Sequence, residues 1–352
     1  MLNSLYIKAA SKRGSIKEAI PELEGDSVVF NNWDDKTIIS SDDEFSIGAG
    51  DGSFNKKKFL GFNFYAVSAE SLIFDGQLKR VEQSDIDKFP YLSYLDEFLS
   101  NYMSIFELKC CLSSLEEYNV DYYLVDGSIY GDLQNPFPKG VETSAKDKKN
   151  LISATLNDFE DMVKNAGDKS ISSPKLFDRY FRIYEEQKYP YTLYLTTIEK
   201  LVVLKEILKN PKKMIAISKS SSNNDIFHTN VPDIAIFDKY TSKQGISKII
   251  RKKVSVDINT TFPVYDEFFK ELKFTIFYLR LADYKNVLKV ELPYDASMME
   301  IEEIASKLKK FSINGYPYLL KKAHNDVVIS DNNIRELINI AKVREKSGRE
   351  ML

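Results

Sequence analysis

The sequence predicts an α/β fold in which a mixed sheet is flanked by helices. Three observations carry that expectation. Runs rich in β-branched and aromatic residues, such as 120–125 and 214–218, are short and bounded by turn residues. Between those two runs and the chain start, residues 91–118 place Leu95, Phe98, Leu99, Tyr102, Ile105, Phe106, Leu112 and Leu115 at helical spacing. The tripeptide Asp-Gly-Ser also occurs twice, at 51–53 and 126–128, each time where an apolar run reads as a buried strand that ends there.

The elements follow in chain order. Residues 1–43 read as an N-terminal helical arm and 44–352 as one elaborated domain. Segments 45–50, 59–67 and 71–74, the last closed by Asp75-Gly76, predict three antiparallel strands in a meander. The helix over 91–118 leads into the strand that ends at Asp126. The stretch 131–172 is polar and lysine-rich, carries Pro136 and Pro138, and reads as an insertion with one helix near 149–164. Helices over 174–187 and 192–209 precede the strand 214–218. The last third predicts strands near 272–281 and 286–292, a helix near 297–310 and a turn at 315–317. A helical segment to His324, a strand over 327–329 and a terminal helix from about 332 complete the chain. The β-β-β-α-β-α-β order is the layout of a ribonuclease H-like mixed sheet, here with a helical insertion and additional C-terminal strands and helices.

Composition bounds the function. A chain of 352 residues buries a large core, and its net charge of -3 names no partner by itself. Basic clusters such as Lys56-Lys57-Lys58 and Arg251-Lys252-Lys253 each read as a solvated face. No window long enough to span a bilayer is free of charge, and the N-terminus has no signal-peptide core, so a soluble, cytoplasmic protein without a membrane partner is expected. The two cysteines, Cys110 and Cys111, are adjacent, which excludes a zinc spacing and disfavours a disulfide. Gly48-Ala49-Gly50-Asp51-Gly52 is glycine-rich, yet no Gly-Lys-Ser/Thr follows and a strand rather than a helix comes next, so neither a Walker loop nor a dinucleotide fingerprint is present.

An aspartate at the end of an apolar strand is costly unless something binds it. Asp51 and Asp126, from distant segments, therefore point to a shared cation. A third acid is sought on the intervening helix. Asp96, Glu97, Glu116 and Glu117 fall on its solvent face, whereas Glu107 sits in a strip of small side chains that includes Ser100, Ser104, Cys110, Cys111 and Ser114. Three carboxylates suit hard divalent ions, Mn²⁺ or Mg²⁺. A pair of them ~3.5–4 Å apart hydrolyses phosphodiesters. Lys219, at the exit of the strand 214–218, has the right charge to face a phosphate. Of the two histidines, His228 reads as a surface-loop residue, while His324 is a candidate metal ligand or phosphate contact. Tyr316 could stack on a base or bind a phosphate oxygen. Taken singly, each of these is an ordinary structural residue type.

Taken together they resemble the NurA nuclease family. The carriers are Gly50-Asp51-Gly52-Ser53, Glu107, Val125-Asp126-Gly127-Ser128 and Ile217-Ser218-Lys219-Ser220. Phe277-Tyr278-Leu279-Arg280-Leu281, Val290-Glu291-Leu292-Pro293, Gly315-Tyr316-Pro317 and Ala323-His324 follow in order. The resemblance runs from about residue 44 to the C-terminus and is specific through the order and spacing of its parts. It implies a ribonuclease H-like core, a ring-shaped homodimer and Mn²⁺-dependent cleavage of single-stranded DNA and of the 5′ strands of duplex DNA. It also implies action with the hexameric translocase HerA in resecting DNA ends for recombination. On the matched positions, Asp51, Glu107, Asp126 and His324 would be metal ligands or their close partners, with Lys219 and Tyr316 completing the site around the phosphate. Two rival readings remain: a ring-forming adaptor of a DNA translocase with weak nuclease activity, and a ribonuclease H-like enzyme for hybrids or junctions.

Overall fold

The computed structural model describes residues 2–17, 27–134, 136–137, 143–164, 169–254 and 262–344. The described residues build one ten-stranded mixed sheet, with helices on both faces. Its strands are β1 (Trp33–Asp35), β2 (Ile47–Lys58), β3 (Asn63–Phe74), β4 (Leu78–Phe89) and β5 (Tyr122–Asp126). β6 (Met214–Ser218), β7 (Gly245–Ser247), β8 (Ile250–Lys253), β9 (Lys273–Arg280) and β10 (Leu288–Leu292) complete it. The spatial order is β1-β7-β9-β10-β6-β5-β2-β3-β4, with β8 beside β9. β2, β5 and β6 are mutually parallel, and β3 runs against both β2 and β4.

The meander is present, with longer strands than the sequence suggests. Residues 63–74 form the single strand β3, so the expected break between 67 and 71 does not exist. The third strand is β4, which the sequence reading leaves unassigned because it is an edge: half of its residues are charged and most are exposed, with only Val81 and Phe89 buried. The turn at Gly76 is as expected, with φ +99°.

Other departures have equally local causes. Residues 327–329 form no strand; the helix Tyr318–Val327 runs on to Val327, and Ile329 is held by Ser53 and Asn55 instead of a ladder. The arm is helical over Asn3–Ser11, Arg13–Lys17 and Ser27–Phe30, and it ends in β1, which joins the sheet edge. Within 131–172 the helix is Ala145–Lys164, and a short helix Ile129–Gln134 precedes it. Residues 135, 138–142 and 165–168 of that stretch lie outside the described residues.

The sheet separates two large cores. On one face pack the helices Leu95–Glu116, Ala145–Lys164 and Lys188–Ile207, whose apolar stripes bury Phe106, Phe159 and Ile198. On the other lie Met298–Lys310, opened by a Ser297/Glu300 capping box, and Tyr318–Val327. Cys110 and Cys111 are free buried thiols. Among the described residues, no helix is long and apolar enough to cross a membrane.

Candidate active site

The sheet has a notch where β5 ends. β2 pairs with β5 only as far as Gly50 opposite Val125, then continues to Lys58 against β3 alone. One further step in the parallel register brings Asp51 level with Asp126. Only Asp126 is thus at a strand end; Asp51 lies inside β2, and it is its neighbour that stops.

Alternation along β2 explains how a third acid arrives. Ile47 and Ala49 pack under the C-terminal helices, and Asp51 continues that row. Gly48, Gly50 and Gly52 form the opposite row and leave room for the Leu95–Glu116 helix and the Tyr123 ring. A Cβ on Gly52 would stand 2.5 Å from Glu107 Oε1 and 2.7 Å from Met103 Cγ. Glycine is therefore required there by contact, because φ at Gly52 is not positive. Glu107 reaches the notch from one face and the aspartates from the other.

The acids line a cavity of about 340 Å³ that extends between the helices Leu95–Glu116 and Lys188–Ile207. Burial pushes Glu107 up to about 8, reinforced by the charges of Asp51, Asp132 and Asp126 and opposed by Lys200. Glu107 remains partly exposed because it lines the cavity wall. Asp51 is likewise raised by burial, held back by hydrogen bonds from His324 and the Gly52 N–H, and raised further by Asp126.

His324 Nδ1 is 2.7 Å from Asp51 Oδ2. Lys219 donates to Asp126 Oδ2 at 2.8 Å, its ammonium lies over the Tyr316 ring at 4.8 Å, and the Tyr316 hydroxyl is 3.4 Å from the same oxygen. Burial, then the Asp126 charge, raises the Tyr316 phenol well above its ordinary value. The six residues singled out in the sequence therefore gather around one notch. His228 is exposed in a loop, as expected.

Two cavity residues escaped the sequence reading. Asp132 sits on the helix Ile129–Gln134, within the stretch read as a polar insertion; burial raises its carboxyl, and Lys200 draws it down. Lys200 lies on a helix whose other residues are mostly buried, and the run Thr196-Thr197-Ile198-Glu199-Lys200 was the available signal: a polar patch in an apolar helix.

The donor set fits an oxygen-preferring divalent cation. Glu107 and Asp51 are each pushed up first by burial and then by acidic neighbours, and a bound cation is what neutralises such a set. Among the described residues no three His, Cys, Asp or Glu side chains close into a ligand cage. Instead Lys219 supplies the positive charge at Asp126, and His324 occupies Asp51.

The sequence profile of the NurA domain matches residues 45–329. The chain belongs to the NurA family. A NurA relative in Methanocaldococcus jannaschii, named a probable DNA double-strand break repair nuclease, is 29% identical over 330 residues, covering 88% of this chain and 81% of the relative. The crystal structure of the NurA nuclease from Sulfolobus solfataricus superimposes with a TM-score of 0.74 at 25% identity, covering 97% of each chain. A crystal structure of NurA bound to dAMP and manganese shares the fold, with a TM-score of 0.68 at 17% identity over 99% of this chain and 98% of that one. The large mixed sheet flanked by helices is thus the NurA architecture.

Proposed function

We propose that this NurA-family chain is a Mn²⁺- or Mg²⁺-dependent deoxyribonuclease that cleaves single-stranded DNA and the 5′ strands of duplex ends without reading sequence. The observation that carries this reading is the convergence of Asp51, Glu107 and Asp126 at the notch where β5 stops. The names of its relatives, DNA double-strand break repair nucleases, and a fold neighbour bound to dAMP and manganese support it. The order β4-β3-β2-β5-β6, with β3 alone antiparallel, supports a ribonuclease H-like core.

Asp51, Glu107 and Asp126 are assigned as metal ligands, and His324 as a ligand or as the partner that orients Asp51. A pair of divalent ions bound there would supply an activated water and neutralise the scissile phosphate. The chain's own groups do the positioning. Lys219, whose ammonium sits at Asp126 beside the Tyr316 ring, would face a phosphate oxygen, and the Tyr316 hydroxyl would donate to it. With Nδ1 engaged by Asp51, His324 has Nε2 left to exchange a proton with the substrate. The division into an arm over 1–43 and a NurA domain over 44–352, a homodimeric ring, a HerA-type hexameric partner in end resection and a cytoplasmic location belong to the same proposal.

The test is digestion of labelled single-stranded DNA with Mn²⁺ and with EDTA. Wild-type protein cuts only with metal, and Asp126→Asn lowers the rate at least about 10²-fold while circular dichroism shows an intact fold. Full activity of Asp126→Asn would overturn the site assignment.

A further inference from the structure

Glu70 stands directly across from Asp51 in the β2–β3 ladder, on the same face of the sheet. Its side chain is buried, with 4% exposure, in the middle of a strand whose other interior residues are small or apolar. Packing does not require an acid there: Leu72, two residues along the same row, fills its place with hydrocarbon. A buried carboxylate is costly unless its charge is answered, so a specific role for Glu70 follows.

Its partners show what that role is. Glu70 Oε2 accepts from Arg80 Nε at 3.0 Å, while Oε1 is buried with no hydrogen-bond partner. Arg80 reaches on from β4 to Asp326 Oδ2 at 2.7 Å, and Lys322 binds that same oxygen at 2.7 Å. Lys322, His324 and Asp326 ride on one helix, Tyr318–Val327, and the middle one of the three meets Asp51. Arg80 thus ties the buried Glu70 side chain to Asp326, and Lys322 holds the same Asp326 oxygen from within the helix. The bond from the Tyr318 N–H to the Phe311 carbonyl fixes the start of this helix, and those of Ser68 to the Val327 carbonyl and Ser53 to the Ile329 N–H fix its end. Leu319, Leu320 and Ala323 pack it on the sheet; the Arg80–Asp326 pair acts on the polar face that carries His324.

We propose that Glu70 is a positioning residue of the active site: through Arg80 and Asp326 it sets the rotation of the Tyr318–Val327 helix, and with it the seat of His324 on Asp51. The proposal rests on the reading of Asp51 and His324 as active-site residues.

The chain has only two histidines, so ¹³C-histidine labelling gives two resolvable imidazole signals in the full-length protein. Glu70→Leu and Arg80→Gln should both move the His324 signal and leave that of His228 in place. Glu70→Gln, whose amide oxygen still accepts from Arg80 Nε, should leave both signals unmoved. With Mn²⁺ and single-stranded DNA, Glu70→Leu should lower kcat about 10-fold with KM within about 2-fold, and Glu70→Gln should restore it. An unmoved His324 signal in folded Glu70→Leu overturns the proposal, as does a Glu70→Gln variant as impaired as Glu70→Leu. If Glu70→Leu does not fold, Arg80→Gln, at a half-exposed position, decides by the same signal. The histidine signals need no DNA cleavage, so an inactive wild type would count against the nuclease reading alone.

Discussion

At the residue scale the site is a problem of uncompensated charge. Glu107 carries its proton up to about 8 because burial and three neighbouring acids disfavour the carboxylate. Its folded pKa lies above the ordinary 4.5, so the folded state holds the proton more tightly than the unfolded chain. The stability this contributes is complete below about 4.5 and is lost as the pH rises through about 8. Metal-free protein should therefore lose on the order of 4 kcal/mol between pH 5 and 9 relative to Glu107→Gln. Urea midpoints in EDTA at the two pH values measure it; equal losses in both proteins would show that Glu107 is not the source. Saturating Mn²⁺ should shrink the difference, because a bound cation favours the carboxylate.

At the scale of elements, the long strand β2 and the Leu95–Glu116 helix make the site together. The helix comes close because Gly52 has no Cβ to strike Glu107 Oε1 and Met103. Gly52→Ala should push Glu107 off the notch and reduce DNA cleavage about 10- to 100-fold, a misplacement effect. Gly61→Ala, where an added Cβ meets nothing within 4 Å, is the matched control and should retain full activity. The same helix is braced from behind by Lys109, whose buried ammonium pairs with Glu199 of the Lys188–Ile207 helix at 2.7 Å. Glu199 in turn accepts from the Ser172 and Ser173 N–H groups, so the two helices that wall the cavity share one satisfied polar anchor.

At the scale of the whole molecule, one sheet joins a catalytic half to a far edge. β1 is five strands from β5, and its Trp33 is buried against Phe237 with ring centroids 5.2 Å apart. Trp33→Ala should cost about 3–5 kcal/mol in stability, as deletions of large buried aromatic side chains do. Cleavage per folded molecule should stay unchanged at low temperature, because no element of the notch rests on that edge. Calorimetry and single-turnover rates on the same preparation check both halves of the statement.

Local chemistry determined much of this protein. The helix carrying Glu107, the strands 214–218, 272–281 and 286–292, and the helix near 297–310 are legible because each buries one face, and burial writes a period into the sequence. Asp51 and Asp126 are legible because an acid after an apolar run is costly without a partner. What tertiary structure decided lacks such a period. β4 is charged along its exposed edge, Asp132 and Lys200 are polar residues whose meaning depends on which cavity they enter, and Glu70 looks like any strand glutamate until Arg80 and Asp326 arrive from elsewhere in the chain. Above all, the notch exists because β5 ends at Asp126, level with Asp51, while β2 runs on to Lys58, and the length of a neighbour is not written in the strand beside it. The residues named their chemistry one at a time; only the pairing of β2, β5 and two helices from opposite faces brought them to one place.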